Sequence, residues 1–294
     1  MKLIYISFII LIFTVNTQCQ KHELNEGTKS KDTVSSPTWY QMFTNIPGNC
    51  VDFYKVTFSS GKIPLYAGVA LLTAGLIATD EKSWQESNRL YHRSSSVKTF
   101  SDIITEVGDG RTQFGLGGLF AIYGLLTSDN RALTTASQIT QAVLTSGAVV
   151  QVLKHITGRQ SPFVSTKSGG RWDFFPNQIN YHKHVPAYDA FPSGHLTTSL
   201  ATVVVIAENY PNVKWIKPVG YTLSGLLAVG MVNKGIHWYS DYPLAIVLGY
   251  TFGMIAAHPE GMPDLLSGAA GKHVQISPSF VNNTVGLEVY YPLN

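Results

Sequence analysis

The sequence predicts a mainly α-helical protein, built on a core of six helices and ending in a short β-hairpin. Three observations carry this. Six stretches of 16 to 22 residues contain no Lys, Arg, Asp or Glu, a length suited to buried helices. Only 13% of the 294 residues are charged, about half the usual share for a soluble protein, so helix surfaces must be covered by other helices or by lipid. Near the C-terminus, the runs from His273 and from Val285 alternate apolar and polar side chains instead, as half-buried strands do.

In chain order, Met1-Lys2 followed by the apolar run Leu3 to Val15 has the form of a secretory signal, with a cleavage point near residue 19. Removal of Cys19 with it leaves Cys50 without an internal disulfide partner. Residues 20–45 are polar, with Glu-Gly-Thr-Lys-Ser-Lys-Asp, and read as a flexible leader. The body, residues 46–262, holds the uncharged stretches Ile63–Thr79, Thr112–Ser128, Ala132–Leu153, Ala190–Ala207, Pro218–Asn233 and Tyr242–Pro259. Glu81 to Val107 is amphipathic and predicts one or two surface helices. Asp109-Gly110 and Asp129-Asn130 mark turns. Gly158 to Ala190 is a long loop rich in Gly, Pro and aromatics, and loops of that length are usually functional. Residues 263–294 form a C-terminal extension, with Asn282-Asn283 turning between two alternating runs.

The uncharged stretches are close to the length of a membrane span. If the exported N-terminus starts outside, three crossings before Lys154 would put that residue in the cytoplasm. Either one stretch does not span, or the bundle is a periplasmic globule. The net charge of +3 and the lack of a basic cluster argue against nucleic acid. His182, His184 and Asp189 lack a third and fourth companion ligand in their loop, so no metal site is expected.

The chemistry concentrates in two runs. Phe191-Pro192-Ser193-Gly194-His195 heads an apolar stretch, with Pro192 suited to a first helical turn and free N–H groups suited to an anion. Forty-two residues after His195, His237-Trp238-Tyr239-Ser240-Asp241 supplies a second His with a carboxylate four positions on. An acid and an oriented base or nucleophile are the parts of a phosphoryl-transfer site. Singly, a His at a helix end is an ordinary capping group, and Lys154 after an apolar helix is an ordinary C-terminal charge.

Together, Lys154, Pro192-Ser193-Gly194-His195 and His237-x3-Asp241 resemble the type 2 phosphatidic acid phosphatases, a superfamily that includes bacterial acid phosphatases and vanadium haloperoxidases. The resemblance covers roughly residues 60–260, including the number of helices. It implies that His237 attacks phosphorus, Asp241 holds its ring, and His195 protonates the leaving alkoxide. Lys154 and the N–H groups of Ser193 and Gly194 would cradle the phosphate oxygens, with no metal or other cofactor. Two arginines of the pattern are missing: Ser161 and Met231 stand in their places. Arg159 and Lys234 are the expected substitutes, Lys234 because positions three apart on a helix share a face. The implied activity is hydrolysis of a phosphate monoester, a lipid phosphate or pyrophosphate being favoured, by a protein exported to the cell envelope. A non-catalytic binding or scaffold protein on the same fold, and a vanadium haloperoxidase, are the alternatives.

Overall fold

The computed structural model describes residues 37–38, 40–261, 275–281 and 284–290. The expected signal segment, most of the leader and the Asn282-Asn283 turn lie outside the described residues.

Helices dominate the first unit of the chain, which runs to Ala257. Two helices precede the uncharged stretches: α1 (Gln41–Thr44), inside the expected leader, and α2 (Ile46–Thr57). Then follow α3 (Ile63–Ile77), α4 (Asp80–Arg93), α5 (Ser95–Gly108), α6 (Gly110–Thr127) and α7 (Asn130–Thr157). The expected long loop contains the short α8 (Gln178–Lys183), and after it come α9 (Gly194–Asn209), α10 (Ile216–Asn233) and α11 (Tyr242–Ala257). Each uncharged stretch therefore contains one long helix. The amphipathic segment forms two, divided at Ser94, whose side chain caps α5 by accepting from Val97 N–H. Asp109 and Asp129 cap α6 and α7 in the same way, which explains why both expected turns fall where helices restart.

α9 is the centre of the bundle, packed against α11, α7 and α10. Small residues on α11 allow the closest of these approaches. A methyl group on Gly249 would stand 2.6 Å from Thr197 O, and one on Gly253 would stand 2.6 Å from Val204 Cβ. One apolar cluster joins α6, α7 and α9 through Phe120, Ile139 and Val205. A second joins α5, α9, α10 and α11 through Ile104, Leu196, Leu227, Met231 and Ala245. A third holds Val150, Leu248 and Phe252, the last ring stacked on Phe53 of α2 at 4.4 Å.

Among the described residues, no single helix is long and apolar enough to cross a membrane; α3 and α4 qualify only as a pair bent by 62°. Large apolar side chains nevertheless stay exposed on α3 (Leu71, Leu72), α6 (Leu125, Leu126) and α11 (Ile246). The second unit, His258–Asn294, contains β1 (Gln275–Val281) and β2 (Thr284–Tyr290), paired antiparallel from Gln275↔Tyr290 to Val281↔Thr284.

Candidate active site

Lys154 lies in the last turn of α7, which stops at Gly158. That residue adopts the left-handed conformation (φ +52°), and its N–H donates to Lys154 O. Only glycine fits, because a Cβ there would meet Asp173 O at 2.0 Å. The reversal sends the next residue, Arg159, into the protein interior. Lys154 itself is buried and faces the start of α9: a methyl group on Gly194 would stand 3.8 Å from its Nζ. Its carboxylate neighbour is Asp189, at 3.5 Å.

α9 begins at Gly194 with Ser193 as cap, whose hydroxyl accepts from Leu196 N–H. Pro192 lies ahead of the helix, in a cis peptide, and not in its first turn as the sequence suggested. The first-turn N–H groups of a helix have no intrahelical partner. Leu196 N–H is satisfied by Ser193, and Ser193 N–H donates to Asp241 O at 3.2 Å. The expected cradle role of Ser193 therefore does not fit, since its N–H is occupied. Gly194 and His195 keep N–H groups without a partner among the described residues, and the helix dipole adds to their pull on an anion.

His195 and His237 lie with ring centroids 6.1 Å apart, inclined by 70°. His237 is buried, and its Nδ1 faces two acceptors: Ala190 O at 2.8 Å and Asp241 Oδ2 at 3.4 Å. Neither can donate, so the ring carries its proton on Nδ1 and keeps the Nε2 lone pair available. The backbone carbonyl is thus the nearer of the two partners, ahead of the carboxylate the spacing pointed to. Burial holds His195 down at about 4 against an ordinary value of 6.5, assisted by the neighbouring His237 and Lys154 and opposed by Asp109 and Asp189. A bound phosphate dianion would reverse the balance by supplying negative charge.

The two expected substitute cations do not enter this space. Arg159 is fully buried, with NH1 on Asp241 Oδ1 (2.5 Å) and Ser240 Oγ (2.6 Å), and NH2 on Asp80 Oδ2 (2.8 Å) and Gly169 O (2.7 Å). Lys234 pairs with Asp102 of α5 at 3.1 Å, on the α5–α10 side of the bundle. Lys234 keeps helical geometry, its N–H donating to Gly230 O, and so shares the face of Met231; that face packs on α5, beside Ile104 and Asp102, and not on the imidazoles. Met231 is fully buried in the cluster with Ile104 and Leu227. Ser161 is buried, its N–H on Pro186 O. Sequence reasoning missed Asp80, which opens α4 beside Glu81 and carries no spacing signal, and missed Asp189 as the partner of Lys154.

The long loop closes over these residues. Arg159 bridges to Trp172 and Asp189, Trp172 packs on Phe191, and Phe174 stacks beside Trp172. Phe174, Phe175 and Ile179 project outward.

Residues 136–260 match the family model of the PAP2 superfamily. No curated protein matches the chain. Among solved structures, Aquifex aeolicus LpxE is similar at 15% identity and a TM-score of 0.44, over 60% of this chain and 93% of that one. The first transmembrane PAP2 type phosphatidylglycerolphosphate phosphatase from Bacillus subtilis is similar at 13% identity and a TM-score of 0.45, over 75% of this chain and 96% of that one.

Proposed function

We propose that this chain, a member of the PAP2 superfamily, is a phosphatase that hydrolyses a phosphate monoester through a phosphohistidine. The observation that supports this best is the pairing of two imidazoles at 6.1 Å beside Lys154, with His237 held in the tautomer that leaves Nε2 free. Phosphorus placed between them is within reach of both rings. Nε2 of His237 attacks it and the P–O bond to the alcohol breaks. His195, protonated once the dianion is bound, gives its proton to the leaving alkoxide. Neutral His195 then takes a proton from water, which attacks phosphorus, breaks the P–N bond and frees phosphate. Lys154 and the N–H groups of Gly194 and His195 balance the oxygens' charge; the residues in these roles require no metal. The exposed aromatics beside the site, Phe174 and Phe175, favour a substrate with an apolar tail, such as a lipid phosphate, and a place in the cell envelope.

The test is turnover of phosphate monoesters in the presence of a chelator, with trapping of a radiolabelled enzyme by an alkaline denaturing quench, because a P–N bond survives alkali and hydrolyses in acid. The expected result is label on His237, and none in His237→Ala. A natural protein with neither turnover nor label would overturn the proposal. It would favour a non-catalytic binding protein, a reading supported by the apolar burial of Met231 and the engagement of Arg159 away from the cradle.

A further inference from the structure

We infer that Arg159 and Asp80 are positioning residues for His237 and not phosphate ligands: Arg159 fixes both acceptors of the His237 ring, and Asp80 fixes Arg159. Its catalytic consequence rests on the reading of His237 as the phosphoryl acceptor.

Two routes run from Arg159 to the ring. Through the main chain, Arg159 O accepts from Ala190 N–H at 2.9 Å, and Ala190 O accepts from His237 Nδ1–H at 2.8 Å. Through the side chain, NH1 holds Asp241 Oδ1, while Oδ2 of the same carboxylate accepts from Trp238 N–H at 2.7 Å and stands 3.4 Å from His237 Nδ1. The far edge of the guanidinium is held by Asp80 and Gly169, and its faces lie against Trp172 (4.7 Å) and Trp238 (5.4 Å). Asp80 also binds the Tyr239–Asp241 turn directly, accepting from Ser240 N–H at 3.2 Å and from the Ser240 hydroxyl. Asp80, Arg159, Ser240 and Asp241 are all at most 1% exposed.

Burying three ionised groups is seldom a route to stability, because desolvation offsets most of the attraction. Orientation accounts for the arrangement better. A planar guanidinium can grip two carboxylates at once and hold each in a single pose. Two carboxylates around one guanidinium also leave one negative charge in excess. It lies on the Nδ1 side of His237, where the ring becomes cationic as Nε2 bonds to phosphorus. The other charged or titratable groups around the two imidazoles are Lys154, Asp189 and Asp109, with Tyr242 ring-to-ring at 6.2 Å from His237. Asp80 lies outside residues 136–260, so the N-terminal helices complete the support of the site.

The experiment compares the full chain with Arg159→Lys and Asp80→Asn. An ammonium cannot fork between Asp80 and Asp241, and misplacement of a reacting group by an ångström costs about 10²-fold. We expect kcat to fall by about 10²-fold in Arg159→Lys and about 10-fold in Asp80→Asn. The affinity of inorganic phosphate, measured as a competitive inhibitor, should stay within about 2-fold. Phosphate affinity falling in step with kcat would make Arg159 a ligand and overturn the inference, as would folded variants with the natural kcat. Asp80→Asn preserves side-chain shape and carries the test if Arg159→Lys does not fold. ¹⁵N NMR of His237 gives a reading independent of turnover: a single Nδ1–H tautomer in the natural protein and a mixture in the variants. If the natural protein turns over nothing, the phosphatase reading fails while this signature still decides the positioning role. An unchanged single tautomer in both variants would count against it.

Discussion

On the proposed mechanism, His195 should set the pH behaviour of turnover. In the free protein its proton is lost above about 4, because burial and two nearby basic groups oppose its charge. A general acid must be protonated to act, so kcat/KM, which reports the free protein, should fall as pH rises from that region. In the complex the phosphate dianion favours the imidazolium, and the falling limb of kcat should lie at higher pH. Both limbs, corrected for the substrate's own ionisation, can be read from steady-state profiles; coincident limbs would exclude His195 as the acid. A second expectation separates the two lysines. Lys154→Met should cost about 10²-fold or more in kcat, as loss of a donor to developing charge does. Lys234→Ala should leave turnover unchanged, because its ammonium is paired with Asp102 away from the imidazoles. The sequence could single out His195, His237, Asp241 and Lys154 as candidates that lie near one another, since their types and spacing are themselves the signal. It could not tell what Arg159 does. Two positions of displacement along the chain look like a small shift toward the missing arginine, whereas the left-handed turn at Gly158 sends the side chain to the opposite side of Asp241.

At the scale of helices, the positions of charged residues were nearly sufficient. A stretch without charge can bury any face, so each uncharged run became one helix, and the turns read at Asp109 and Asp129 fell where helices restart, whereas the break at Ser94 was not marked. What could not be read was which helices touch, because contact depends on small residues whose partners lie far along the chain. Gly253 on α11 is such a case. Its substitution by Ala places a methyl group 2.6 Å from Val204 Cβ and 2.8 Å from Ala201 O. Since α9 carries His195 at its first turn and α11 directly follows Asp241, separating them moves His195 from His237, the proposed acid from the proposed nucleophile. Gly253→Ala should destabilise by about 1–3 kcal/mol in chemical denaturation. It should also lower kcat more than the affinity for inorganic phosphate, if Lys154 and the α9 N-terminus bind it as proposed. An equally stable variant would mean that the two helices can part at no cost.

Over the whole molecule, apolar side chains remain exposed on several helices at once, with Leu126 at 81% and Leu71 at 75%. Exposed apolar side chains on this scale fit contact with lipid or another protein. With a lipid phosphate as substrate, the protein should float with phospholipid vesicles in a density gradient at physiological salt. Protein left at the bottom would count against that substrate class. The bond between Ser240 N–H and Asp80 spans 160 positions of sequence, and Arg159 must arrive between them. This separation has a consequence for biosynthesis. A chain emerging from the ribosome exposes Asp80 and then Arg159 long before Asp241 exists to complete their charges. Until then Arg159 and Asp80 are better solvated than buried, and closing so long a loop is slow. The site is therefore expected to assemble last, after α9 and α11 have paired. A partly made chain would have helices but no supported pair of imidazoles.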